Sequence, residues 1–168
     1  MKRITTLFLS LFICLIASAQ VGTPTPANGA TIMPKPAFTI NYNSAVAALQ
    51  SESARYDLRG KISITDNNGK SYSYAIGTVT ATSINFVLQD LEVLPANATI
   101  TVKLDASIGG QTFTYTVEDY YTLEKGATAF AFASSKKKTL RIGEGVKLLV
   151  DKTLKCKQLI VEPNAGIT

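Results

Sequence analysis

The chain has 168 residues, 46% of them hydrophobic and 17% charged, with a formal net charge of +5. That balance excludes a disordered polymer, because enough apolar surface is present to offset the entropy of ordering. There is no histidine and no tryptophan, and there are two cysteines. These counts exclude histidine-based triads, the common histidine-containing zinc sites and any disulfide framework.

Lys2 and Arg3 precede an apolar stretch from Leu7 to Ile16, and Ala17-Ser18-Ala19 closes it with a small-x-small pattern. This is the layout of a secretory signal peptide over 1–19, cleaved after Ala19. The apolar run is roughly half the ~20 residues that a membrane-spanning helix needs. Cys14 follows Ile13 rather than a small residue, so it reads as part of the apolar run and not as a lipid-attachment site. The remainder holds one cysteine, Cys156, and no transmembrane segment is expected. The sequence therefore predicts a secreted or cell-surface protein.

Charge divides the exported part near Gly126. Residues 20–126 carry 7 Lys/Arg against 9 Asp/Glu, whereas residues 127–168 carry 8 against 3. The expected organisation is a β-sandwich over 20–126, a basic linker over 127–138 and a strand-rich extension over 139–168. Within the first unit, Thr23 to Ala30 and Pro34-Lys35-Pro36 read as turns, since proline fixes φ and lacks a donor. Phe38, Ile40 and Tyr42 alternate with polar residues as a half-buried strand. Ser44 to Ser53 reads as a short helical turn or loop. Ile62 and Ile64, then Tyr72, Tyr74 and Ile76, flank Asp66-Asn67-Asn68-Gly69 and predict a hairpin. Further strands are expected at 83–88, 98–106 and 111–122, with a turn at Ile108-Gly109-Gly110. About seven short strands with such turn spacing match the size of an Ig-like antiparallel sandwich.

Two stretches add a resemblance. The opening TPTPANGA, followed by the strand Phe38–Tyr42 running into Asn43-Ser44-Ala45-Val46, resembles the S-layer-type bacterial Ig-like domains. Leu91 to Leu104 (LEVLPANATITVKL) resembles the loop-to-strand corner that those domains share with fibronectin type III modules, with Ile100 where the family often carries tyrosine. The resemblance covers about residues 21–126. It implies a sandwich fold and a structural or adhesive role at the cell surface.

Apolar positions in the extension come in short runs at period two: Leu140 and Ile142; Val146, Leu148 and Val150; Leu154 and Cys156; Leu159 and Val161; Ala165 and Ile167. Gly143-Glu144-Gly145, Asp151-Lys152-Thr153 and Glu162-Pro163-Asn164 separate them. Short strands joined by tight corners resemble the rungs of a parallel β-solenoid. One such rung cannot bury its apolar face alone. Either this segment packs on the sandwich, or the chain is a fragment of a longer protein; a simple two-strand hairpin is the third possibility.

No reactive constellation emerges from the residue types, so no catalytic, metal-binding or cofactor-binding residues are expected and the chain is read as not an enzyme. Asp66, Asn67 and Asn68 could offer oxygens to calcium but lack the later acid of an EF-hand, and read as a turn. Asp90/Glu92 and Glu118/Asp119 are the closest acid pairs. Adjacent strand residues point to opposite faces, so Glu118 and Asp119 cannot flank one glycosidic bond. Lys136, Lys137 and Lys138 have no aromatic residues interleaved, which argues against nucleic acid and leaves weak contact with an anionic envelope surface. Tyr72 and Tyr74, with Tyr115, Tyr120 and Tyr121, are candidates for glycan stacking, or else for cross-strand packing. Cys156 reads as an inward-facing thiol without a histidine partner. The expected function is a non-catalytic structural or adhesion module that spaces or presents a larger cell-surface or extracellular protein. The alternative is a carbohydrate-binding accessory domain of a secreted polysaccharide-active protein. A third reading places the catalytic solenoid of a polysaccharide lyase beyond Thr168.

Overall fold

The computed structural model describes residues 20–126, 132–150 and 153–168. The signal peptide expected at 1–19, the first part of the expected linker (127–131) and Asp151-Lys152 lie outside the described residues. Thirteen strands are found among the described residues, and the first eight build a sandwich. These are β1 (Gly22–Thr25), β2 (Thr31–Ile32), β3 (Ala37–Tyr42), β4 (Ile62–Asp66), β5 (Tyr74–Thr80), β6 (Ser83–Leu88), β7 (Thr99–Leu104) and β8 (Thr112–Val117). One sheet has the order β1-β3-β6-β5 and the other β2-β8-β7-β4. All pairs are antiparallel except β2 with β8.

Strict alternation in the sequence explains how the sheets face each other. In β3, β6, β7 and β8 every second side chain is buried. Because neighbours along a strand point to opposite faces, one apolar row per strand reaches the interior. Ile62, Phe86, Val102 and Phe113, one from each of four strands, share a single core. At its centre Phe38 lies opposite Phe86 across β3 and β6, with ring centroids 5.2 Å apart. Tyr115 from the other sheet meets Phe38 at the same separation.

Three sequence expectations differ from the structure. Thr23 to Ala30 is not all turn, because Gly22–Thr25 pairs with β3 at the sheet edge. Pro24 is tolerated there because an edge strand leaves some N–H positions unpaired. The predicted hairpin closes only at its tip, where the Asp66 amide donates to the Lys70 carbonyl, the Tyr72 amide donates to the Ile64 carbonyl and Thr65 bridges Ser71; beyond it β5 joins the sheet opposite β4. Residues 111–122 are not one strand, since β8 ends at Val117 and the chain turns before β9 (Tyr121–Leu123). The short helical turn expected over 44–53 is present as the 3-10 turn Ala47–Leu49, and the helix α1 (Ala54–Asp57) follows it.

The last strands are β10 (Leu140–Ile142), β11 (Lys147–Leu148), β12 (Leu159–Val161) and β13 (Gly166–Ile167). β9, β10 and β12 form a parallel sheet in the order β12-β10-β9, and β11 pairs in parallel with β13. Each partner lies 19 residues further along the chain: Tyr121, Leu140 and Leu159 in one sheet, Lys147 and Gly166 in the other. The parallel pairing expected of the extension is thus present as two small sheets, and no closed solenoid is formed among the described residues. Leu123, Leu140, Ile142 and Leu148 make a second core, with Val146, Leu154, Cys156 and Ala165 packed against it.

Candidate functional site

The Asp66 turn is held by its own carboxylate. Oδ1 accepts from the amides of Asn68 (2.8 Å) and Lys70 (3.0 Å), and Oδ2 accepts from the Tyr72 hydroxyl (2.8 Å). Gly69, with φ of 82°, completes the turn. Both oxygens therefore serve the backbone and the core rather than a cation. Tyr72 is 4% exposed and packs in the sandwich core. Tyr74 lies edge-on to Phe86, and its hydroxyl donates to the Leu58 carbonyl. Tyr72 is buried while Tyr74 is half-buried and hydrogen-bonded, so the two rings do not form one exposed stacking platform. Tyr115 belongs to the core, while Tyr120 donates to the Leu94 carbonyl at 2.9 Å.

Burial alone would raise the Asp66 pKa, but the hydrogen bonds from Tyr72, Lys70 and Asn68 and the Lys70 charge hold it below the ordinary value. A carboxyl whose folded pKa is depressed adds stability that is fully present above its unfolded value of about 3.9. That contribution disappears as pH falls through the lower folded value. The Asp66→Asn variant is expected to be less stable than the parent at neutral pH and to converge on it as pH falls below the ordinary carboxylate range. Urea unfolding across that pH range checks this, and a constant gap between the two proteins contradicts it.

The other sequence candidates are separated. Glu92 accepts from the Ser73 amide and pairs with Lys70, whereas Asp90 lies exposed with its carbonyl accepting from Lys35. Asp119 accepts from Asn97, while Glu118 turns towards the extension. Lys136, Lys137 and Lys138 are exposed on a turn whose backbone bonds back to Lys157. Cys156 is half-buried and free, beside the second core.

Two features escaped the sequence reading. The first is an open cleft of about 670 Å³ between α1 and β5, lined by Arg55, Tyr56, Arg59, Tyr74 and Gln89 among others. Tyr56 is 69% exposed, and the Arg59 guanidinium sits 5.2 Å from its ring centre. Arg55 is committed in part to the Ile76 carbonyl. The spacing of Arg55 and Arg59, one helical turn apart, is the sequence signal for this cleft.

The second is the repeat itself. Gly126, Gly145 and Asn164 stand 19 residues apart in sequence and all have positive φ, at 85°, 70° and 59°. Val146 bonds back to Gly143, and Ala165 to Glu162, closing equivalent tight turns. Such turns need a residue tolerant of positive φ at their third position and favour proline at the second, where Pro163 stands. The bonds Gly143 N–H to Leu123 carbonyl and Glu162 N–H to Ile142 carbonyl repeat at the same interval. Periodic glycine or asparagine is the signal that could have exposed the repeat earlier.

No family model and no curated protein matches the chain. Solved structures do. L,D-transpeptidase 3 of Mycobacterium tuberculosis, in complex with a faropenem-derived adduct, is 8% identical with a TM-score of 0.45 over 64% of this chain and 41% of that one. An L,D-transpeptidase of Mycobacterium smegmatis is 18% identical with a TM-score of 0.43 over 62% and 42%. CopC of Methylosinus trichosporium OB3b is 13% identical with a TM-score of 0.40 over 61% and 99%. The match spans about two fifths of the length of the transpeptidases. With L,D-transpeptidases among these neighbours the expectation that the chain is not an enzyme is not kept, and at this level of similarity they assign no activity to it. No helix among the described residues is long and apolar enough to cross a membrane.

Proposed function

We propose that the chain is an exported module that spaces and presents a larger cell-surface or extracellular protein. In this reading the sandwich is an S-layer-type Ig-like domain and the extension is the start of a parallel β-solenoid. The signal-like residues 1–19 and the resemblance over 21–126 support it. The observation that carries it is the joint at Glu118. Its Oε1 accepts from the Thr139 hydroxyl at 2.6 Å, and its Oε2 accepts from Lys157. Thr139 is wholly buried, and β9 starts three residues after Glu118. The Glu118 amide in turn bonds to Ile32 of β2. One side chain thus ties the sandwich to two successive turns of the extension, as a stiff spacer needs. Exposed Lys136, Lys137 and Lys138 would add weak, salt-sensitive contact with an anionic envelope.

Glu118→Ala leaves the buried Thr139 hydroxyl without its acceptor, at a cost of about 1–3 kcal/mol to the joint. Pulled between its ends in a force measurement, the parent protein is expected to hold the extension until the sandwich yields. The variant is expected to release the extension first. Early release in both proteins contradicts the spacer reading.

A second reading, glycan binding, is favoured by one observation, the exposed Tyr56 ring beside Arg59. An aromatic face with adjacent guanidinium groups suits a sugar ring bearing a carboxylate. Affinity electrophoresis in uronate-containing polysaccharide is expected to show retardation that Tyr56→Ala abolishes. Equal mobility of the two proteins removes the reading.

A further inference from the structure

Successive turns of the 19-residue repeat are not equally covered. Leu140 and Ile142 of β10, flanked by β9 and β12, are fully buried. Their counterparts Leu159 and Val161, in register on the next strand, are 41% and 47% exposed. Leu148 of β11 is 8% exposed, and its counterpart Ile167 of β13 is 37% exposed. Apolar side chains at the same register positions lose their cover at one edge, while Ile160 on the other face of β12 stays buried. That edge also presents the free backbone groups of β12 and β13, because each is the outer strand of its sheet. An uncovered parallel edge with an apolar row is a template for pairing.

We propose that the β12/β13 edge is a docking site for a further unit of the same 19-residue repeat, carried in sequence after Thr168 and paired in parallel. This deepens the solenoid part of the proposed function and rests on it. The edge continues the interface already present: β12 pairs with β10 as β10 pairs with β9, and the exposed apolar row lies in register with the buried one. The occupant is specified by position. It needs apolar residues matching Leu140, Ile142 and Leu148, and glycine or asparagine matching Gly145 and Asn164 for the positive-φ turn. It also needs a small or β-branched residue matching Val146 and Ala165.

The test appends a second copy of residues 150–168 after Thr168 of the full chain, with a scrambled copy of the same composition as control. Amide hydrogen exchange over 159–168 is the readout. The expected result is exchange slowed about tenfold or more by the true copy and unchanged by the scrambled one. Equal exchange in all three proteins overturns the proposal, as does equal slowing by both additions. Backbone contacts between Arg141 and Ile160, measured by NMR on the unextended protein, separate the two failures. If they are present and the edge gains no protection, only the docking site fails; if they are absent, the solenoid reading fails as well. Sedimentation of the unextended chain covers the remaining occupant. A dimer dissociated by Leu159→Asp would mean that a second copy fills the edge, and would overturn the proposal.

Discussion

Phe86→Ala is expected to cost the sandwich about 3–5 kcal/mol, measured as a fall in the urea midpoint at unchanged slope. Phe86 is fully buried, packs at 5.2 Å on Phe38, and receives the edge of Tyr74 at 6.0 Å. It stands where both sheets converge, so removing the ring empties a site walled by rigid strands that cannot collapse into it. A domain with about 5–15 kcal/mol of total stability loses a large share of it. A cost under about 1 kcal/mol would mean that the two sheets do not close on this residue.

The second large effect lies in the extension. Leu140→Ala removes a wholly buried side chain from the small core formed with Leu123, Ile142 and Leu148. A buried leucine truncated to alanine costs about 2–5 kcal/mol, and this core is too small to spread that loss. The expected outcome is rapid amide exchange from 140 to 168 while β3, β6, β7 and β8 stay protected. Exchange that rises in the sandwich to the same degree would show that the two cores unfold as one. Unchanged exchange everywhere would show that Leu140 does not hold the stack.

The sequence revealed the rows and hid the connections between them. Phe38/Ile40/Tyr42, Ile84/Phe86/Leu88 and Ile100/Val102/Leu104 alternate so regularly that strand position and buried face could be read directly. Which sheet each strand joins depends on longer-range bonds. Asp66-Asn67-Asn68-Gly69 does close a tight turn, with the Asp66 amide on the Lys70 carbonyl, yet β5 beyond it joins the opposite sheet. Gly22–Thr25 looked like a turn because an edge strand tolerates its proline and glycine. For candidate sites, the tyrosine pattern at 72 and 74 gave residue type without exposure. Tyr56, the ring that is exposed, sits in a four-residue helix with no apolar face to announce it. In the extension the tight corners were legible, but the 19-residue period was masked by strands of two or three residues and by sequence drift between turns. Only the positive-φ positions 126, 145 and 164 keep it plain.

The most direct measurement of the central claim is the set of backbone cross-strand contacts around Thr122, Arg141 and Ile160 in the isotopically labelled protein. The account predicts that Arg141 contacts both of the others in parallel register, with Lys147 similarly beside Gly166. Antiparallel contacts between 140–142 and 147–148, as in a local hairpin, would contradict it.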